Sequence, residues 1–514
     1  MASAGELAGK TWRDASSQRW TAFLREREEQ VFLLLTLIIG ALAGMVVVAF
    51  ILLTERSGAR LYPAGGSPWR RLLVPVAGSA IMGYLLYRFF PDARGSGVPQ
   101  TKAALYARGG HISLGTVIGK FFCTSATLAS GIPLGREGPA VQVGAGIASV
   151  LGRKLGLRPE KVKALIPVGA AAAIAAAFNT PLAAVLFALE EVVGDLHAAV
   201  LGSVVLASAT SWAMLRLLLG NNPLFQVPQY QLVHPGEFGI YAILGVAGGF
   251  VSVAFTKLLL WMRARFLRFP KRTVWFQPVV GGFTVGIMGW FVPQLLGVGY
   301  KHVGEVLNGG MALRLMIVLL VLKLAAVAIS YASGNAGGIF GPSLFLGAML
   351  GGIVGNVANH FLPSYVGTPG AYALVGMGTA FAGIVRAPMT SVVMIFEITG
   401  LRGHRAAHDF QPGEFLHFLK IPGAAHLRSA GAAGWHPPAE GGDAAAGRAA
   451  PGGASDAQCH RNTERRDDRP GSTGEIQLQR IPVLARLRRA RSDWRRPLAG
   501  PEARQQRRSW KQTA

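Results

Sequence analysis

Four stretches of this chain hold no aspartate, glutamate, lysine or arginine: Val31–Leu53, Ala164–Leu189, Val274–Tyr300 and Leu324–Asn359. A helix needs about 20 apolar residues to cross a bilayer core, so each stretch can span a membrane or fold within one. A buried helix in a large soluble core accounts for one such run but not for four. Further apolar segments fall near 72–90, 112–134, 138–152, 198–219, 237–262, 311–332 and 371–398. Many are too short, too long or too rich in Gly and Pro for plain spans. A polar stretch at 220–236, with Asn221, Asn222, Pro223, Gln226 and Pro228, divides the segments into two groups. Interrupted helices in two corresponding halves are the sequence sign of a transporter built from inverted repeats. The pattern predicts an all-α polytopic membrane protein of broken and tilted helices. Its parts are a cytoplasmic segment at 1–30, a transmembrane domain at 31–400 with halves at about 31–220 and 237–400, and a tail at 401–514.

Charge adds orientation. Arg13, Arg19, Arg25 and Arg27 precede the first apolar run, which places that end in the cytoplasm. The cluster Arg263, Arg265, Arg268, Lys271 and Arg272 is expected on the same side. The net charge of +25 could suggest nucleic acid, but +9 of it sits in the last 114 residues and much of the rest in cytoplasmic flanks. The tail is rich in Ala, Gly and Arg, with 18 Arg against 2 Lys, and shows no sustained apolar period. By composition it reads as disordered. It lacks the interleaved aromatics of a single-strand RNA binder. The first 30 residues contain no cleavable signal peptide. Two cysteines, Cys123 and Cys459, support neither a disulfide framework nor a metal site. Ser96, Ser125 and Ser130 lie in apolar segments, but no motif links them to His111, His197 or His360, so no hydrolase is implied.

Three short motifs share one form: Gly95-Ser96-Gly97-Val98-Pro99, Gly135-Arg136-Glu137-Gly138-Pro139 and Gly338-Ile339-Phe340-Gly341-Pro342. Glycine lets the backbone bend sharply and proline is tolerated in the first turn of a helix, so each reads as a helix start inside or beside the membrane. Helix starts expose unpaired N–H groups and the positive end of the helix dipole. At membrane depth such backbone survives only if it is buried or lines a cavity. Three such ends converging would hold a small anion, through backbone N–H groups such as those of Gly135 and Gly138, without a full buried positive charge. Glu137, in the second motif, is a carboxylate within the membrane and hence a functional candidate. Ionised, it can occupy the anion site; protonated, it loses that attraction and can swing out.

These motifs resemble the CLC family of chloride channels and proton/chloride antiporters, whose G-S-G-I-P, G-R/K-E-G-P and G-x-F-x-P occur in this order at similar separations. Val98 stands for the usual Ile, and Gln100 where many members have Glu. The resemblance covers roughly residues 31–400 and implies the CLC-type inverted repeat. It implies that the Ser96 hydroxyl and the N–H groups of Ile339 and Phe340 bind a central chloride, with Glu137 as the external gate. Serine at 96 resembles the chloride-selective members rather than the nitrate-selective ones. The stretch from Asn179 to Glu190-Glu191 is similar to the family's helix leading to its internal proton site, so Glu191 favours proton-coupled antiport. A passive chloride channel is the alternative, and a solvated helix cap is the plain reading of the glutamate pair. Lys120, the lone cation of segment 112–134, either supplies positive potential to the anion path or snorkels to an interface. The resemblance further implies a homodimer with one pathway per subunit in a bacterial inner membrane, with chloride and protons as cargo and no cofactor, metal or enzymatic step.

The family continues past Phe396-Glu397-Ile398-Thr399 into one more helix, which begins near a tyrosine that binds the central chloride, and many members add paired CBS modules. Here Leu401-Arg402-Gly403-His404 follows instead. Reading the codons of Gly400 onward from their second base permits DYAVIVPLMISNLVSFFISSRFQ, similar to the missing helix, tyrosine included. Continuing through Ala424 to Ala439 permits PPIYEALA and QDGIHLP. The tail is therefore read as out of frame, and the chain as written as lacking one side of its chloride site, which would weaken or inactivate it. Resequencing the coding DNA around codon 400 is expected to restore this helix; independent isolates that read Leu-Arg-Gly-His in frame would refute the shift.

Overall fold

A computed structural model describes residues 28–400, apart from 64, 229, 231 and 232. The readings of segment 1–27 and of the tail lie outside the described residues. Within them the chain forms fifteen α-helices. In chain order they are α1 (Glu28–Leu61), α2 (Pro68–Arg88), α3 (Val98–Ala107), α4 (Leu114–Ala129), α5 (Glu137–Lys154), α6 (Pro159–Phe178), α7 (Pro181–Phe187) and α8 (Leu201–Leu219). Past the polar divider follow α9 (Glu237–Leu267), α10 (Gln277–Phe291), α11 (Tyr300–Leu307), α12 (Leu313–Ser333), α13 (Phe340–Phe361), α14 (Pro369–Val385) and α15 (Pro388–Ile398). Six are long and apolar enough to cross a membrane: α1, α6, α8, α9, α12 and α13.

The sequence explains why apolar runs do not map onto single helices. Ala164–Leu189 and 371–398 both break at a corner of the same design. Asn179 (φ 59°) and Arg386 (φ 65°) are the only non-glycine residues of left-handed conformation among those described. Each closes a helix, and each is followed two residues later by the proline that opens the next, Pro181 or Pro388. The run Leu324–Asn359 holds the end of α12, a turn and α13.

Helices α6 and α13 are buried over about four-fifths of their apolar windows, α8 and α9 over about a quarter. The first pair forms the centre and the second faces outward, towards lipid in a membrane. Ala170–Ala175 are fully buried on every face of α6. Small residues let backbones approach closely where no hydrophobic drive separates helix from lipid. A Cβ on Gly144 would collide with the Gly169 carbonyl, and one on Gly169 with that of Gly144, which locks α5 to α6. Gly347 and Gly376 stand in the same reciprocal relation between α13 and α14.

The order α1–α7 repeats as α9–α15, and the two halves meet through reciprocal contacts. The Glu190 carboxylate accepts from the N–H groups of Met389 (3.2 Å) and Thr390 (2.8 Å) at the start of α15. The Glu397 carboxylate accepts from those of Leu182 (3.2 Å) and Ala183 (2.8 Å) at the start of α7. Each glutamate lies nine residues after its own helix-opening proline. Contacts in which residue i meets j and j meets i define a local two-fold relation. The predicted inverted repeat is therefore present.

Replacing Gly169 by Leu is expected to cost about 1–3 kcal/mol through overpacking. Thermal unfolding of the purified protein in detergent should fall accordingly, whereas the same change at Gly239, which has open space beside it, should lower nothing.

Candidate functional site

The three predicted helix starts converge. Gly135 and Gly338 form an isolated antiparallel bridge, each N–H donating to the other's carbonyl at 2.7 Å. Gly97 packs on Gly138: a Cβ on Gly97 would collide with the Gly138 carbonyl, and one on Gly138 would sit 2.5 Å from the Ser96 carbonyl. The starts of α3, α5 and α13 thus share one buried point. Positive φ at Gly95 (89°) and Gly97 (105°) turns the first loop into this space, a conformation that costs a residue with a Cβ. The N–H groups of Glu137, Gly138, Ile339 and Phe340 find no protein acceptor among the described residues. Buried donors without acceptors are rare, and at helix starts they favour an anion. Ser96 is buried beside them. Gln100 caps α3, its Oε1 accepting from the Gly97 N–H at 2.9 Å.

Glu137 is wholly buried, with 0 % exposure. Its Oε2 accepts from the Gly341 N–H at 3.2 Å, so the carboxylate of α5 lies at the tip of α13. Its Oε1 accepts from the Tyr300 hydroxyl, at the start of α11. A Cβ on Gly135 would collide with Glu137 Oε2, which is why glycine occupies that position. Arg136 next to it pairs with Glu55 of α1 at 3.1 Å and lies over the Tyr300 ring, 5.6 Å from its centre. The Phe340 ring is wedged edge-to-face between Phe187 and Phe381, at 5.4 and 5.6 Å between centres.

Lys120 does not snorkel. Its side chain is wholly buried, and its Nζ donates to the carbonyls of Ala93 (3.0 Å) and Gly95 (2.5 Å). A lysine deep among helices can afford this only with acceptors to hand. It pins the loop that carries Ser96 from behind. Lys323 of α12 repeats the arrangement, donating to Leu295 (2.9 Å) and Gly297 (2.6 Å) just before Tyr300.

Glu191 lies apart from this cluster, on a widened helical turn at Ala188–Val193 that continues α7. It pairs with Lys102 of α3 at 3.2 Å, and both side chains reach the surface in part. Its neighbour Glu190 is the cap of α15 already described, so the two acidic residues have separate roles. Helix α1 gives their relative depth. Leu189 packs with Leu35 and Ile39 near the start of α1, whereas Ala140 packs with Val47, Val48 and Ile51, and Arg136 reaches Glu55. At 1.5 Å per residue, Leu35 and Glu55 lie about 30 Å apart. Glu137 and Glu191 therefore lie towards opposite ends of α1.

Sequence reasoning named Ser96, Gly135, Glu137, Gly138, Ile339 and Phe340, and the structure brings them together, but the Gly135 N–H expected to face an anion donates instead to the Gly338 carbonyl, because the two helix tips pair there. It missed Tyr300, Lys323, Lys102 and Glu397. A signal for two of them was present: Gly297-Val298-Gly299-Tyr300 echoes Gly95-Ser96-Gly97-Val98, with a lysine 24 and 23 residues after the second glycine.

Residues 78–404 match the family model described as voltage gated chloride channel. The chain is 31 % identical over 382 residues to the H(+)/Cl(−) exchange transporter ClcA of Vibrio cholerae serotype O1 (strain M66-2), covering 71 % of this chain and 81 % of that protein. It is 33 % identical over 335 residues to a putative chloride channel protein, ClcB-like, of Ralstonia nicotianae, covering 64 % and 78 %. Among solved structures it is similar to a slow cyanobacterial Cl−/H+ antiporter, with TM-score 0.66, 25 % identity and coverage of 72 % and 89 %. A CLC-type fluoride/proton antiporter shares the fold, with TM-score 0.64, 24 % identity and coverage of 73 % and 92 %.

Replacing Lys120 by Met removes the donor from two buried carbonyls, at about 1–3 kcal/mol. Chloride binding measured by titration calorimetry should weaken by roughly 5- to 100-fold; an unchanged affinity would show that the loop holds Ser96 without it.

Proposed function

The chain belongs to the voltage-gated chloride channel family, and on that footing we propose that it exchanges chloride for protons across a membrane. The observation that carries this reading is the Glu137 carboxylate, set at the tip of α13 where orphaned N–H groups gather. An ionised carboxylate there is held by two charge-assisted hydrogen bonds of about 1.5–3 kcal/mol each. Together they favour the closed arrangement by about 10² to 10⁴. Protonation cancels the charge, and with it most of the attraction to the helix dipoles. The side chain then leaves and chloride takes its place against the same N–H groups. One group thus alternates with chloride and carries a proton, which ties the two fluxes together.

Glu191, at the opposite end of α1, supplies the proton from the other side in this reading. Lys102, 3.2 Å away, partners its ionised form, while burial pushes the Glu191 carboxyl above the usual range. The exchanger named among the relatives supports coupling, and the bacterial relatives support placement in a bacterial inner membrane. All the groups invoked belong to one chain, so the proposal assigns one pathway to each subunit of a pair. The cargo is chloride and protons; no cofactor or metal enters the cycle.

The test is the reversal potential of chloride-loaded liposomes across a pH gradient. Coupled exchange moves the reversal away from the value set by chloride alone. Glu137→Gln should abolish the proton component while chloride still passes, and Glu191→Leu should do the same without changing chloride binding. A reversal fixed by chloride alone in the unaltered protein would make it a passive channel.

A further inference from the structure

The gate rests on three elements, but only two of them come from the glycine–proline motifs. The third is α11, whose first residue, Tyr300, donates its hydroxyl to Glu137 Oε1. We propose that Tyr300 is a positioning residue for the gate: its hydroxyl latches the ionised Glu137 carboxylate at the tip of α13 and thereby sets the pH at which the gate opens. This rests on the reading of Glu137 as gate and deepens it.

The latch is built rather than incidental. Gly297 (φ 68°) and Gly299 (φ 90°) bend the loop so that α11 begins at Tyr300. Lys323 fastens the carbonyls of Leu295 and Gly297 from below. The ring is held on one face by the Arg136 guanidinium and on its edge by Phe225, 5.7 Å between centres. A Cβ on Gly341 would come within 3.0 Å of the Tyr300 oxygen and 3.3 Å of Glu137 Oε2, so hydroxyl, carboxylate and the α13 tip share one space that only glycine leaves open. A donor so fixed favours the charged form of its acceptor and gives less to the protonated form.

The other charged groups around the pair are accounted for. Arg136 beside Glu137 is paired with Glu55 of α1. Lys323 of α12 is held by carbonyls, and α13 brings no charge in its first turns. On α11, Lys301 is exposed and His302 pairs with Glu305 at 2.9 Å. On α3, Lys102 pairs with Glu191. Among these described neighbours, only Tyr300 and the Gly341 N–H contact the carboxylate oxygens.

The sign follows. Removing the donor takes away one of the two contacts that hold the carboxylate at the α13 tip, so at any given pH the gate gives way to chloride more readily. Tyr300→Phe keeps the ring, and with it the contacts to Arg136 and Phe225. Chloride efflux from liposomes is measured against external pH for the unaltered protein, Tyr300→Phe, Glu137→Gln and the double variant. The expected result is an alkaline shift of the activation midpoint by roughly one to two pH units in Tyr300→Phe. Glu137→Gln should give a flat profile that adding Tyr300→Phe leaves flat. A Tyr300→Phe midpoint unmoved, or an equal change in the Glu137→Gln background, overturns the latch. If Glu137→Gln itself keeps the full pH dependence, the reading of Glu137 as gate fails instead.

Discussion

Everything in this fold answers to one constraint: helix starts brought into the middle of a membrane protein must have their N–H groups satisfied. Two of those starts are tied tip to tip by the Gly135–Gly338 bridge. Beyond it α5 and α13 touch little and run apart, each carried away by its close packing with α6 or α14. The dipoles of both helices therefore point at one place from different directions. Partial charges of about half a unit each create an anion well there without the cost of burying a lysine or arginine at the well itself. The two buried lysines stand one layer back, each spending its hydrogen bonds on loop carbonyls. Their work is to hold the loops that close the well.

Much of this was legible in the chain. The glycine–proline motifs marked the helix starts, because the turn into a buried helix tip admits few other residues. The charge-free runs marked membrane depth. What stayed hidden was hidden for physical reasons. Glu190 and Glu397 cap helices some 200 residues away in sequence, and nothing local tells a capping carboxylate from a titrating one. Lys120 can snorkel or turn inward according to whether carbonyls face it, and only the folded loop at Ala93–Gly95 decides that. Tyr300 ends a loop that only echoes the first motif, and its partner is 163 residues distant. The apolar run at 371–398 reads as one segment because a single Arg386 barely lowers its hydropathy, and hydropathy carries no sign of the left-handed corner there.

The two-fold relation between the halves offers a way to separate scaffold from function. Where both halves carry the same residue, its task is structural in both. Lysine follows the second glycine of each loop and pins that loop. A glutamate nine residues past the proline caps the opposite short helix. Glycines lock each long helix pair. These tasks concern the fold's own backbone, which repeats, so the residues repeat.

Where the halves differ, the backbone no longer explains the choice. At the first loop, Ser96 stands against Val298 and Val98 against Tyr300. At the helix tips, Glu137 stands against Phe340, within otherwise matching G-x-x-G-P turns. At the ends of the short helices, Glu191 stands against Ile398. The repeat provides two equivalent frames, and a pathway that must tell one side of the membrane from the other needs them to be unlike. A carboxylate in one tip and an aromatic ring in the other gives that polarity: one tip can be blocked by charge, the other only by shape. The second carboxylate, Glu191, likewise exists in one half alone. The difference between the two frames thus lies in the residues that break the symmetry, and Tyr300, which has no hydroxyl counterpart at Val98, belongs among them.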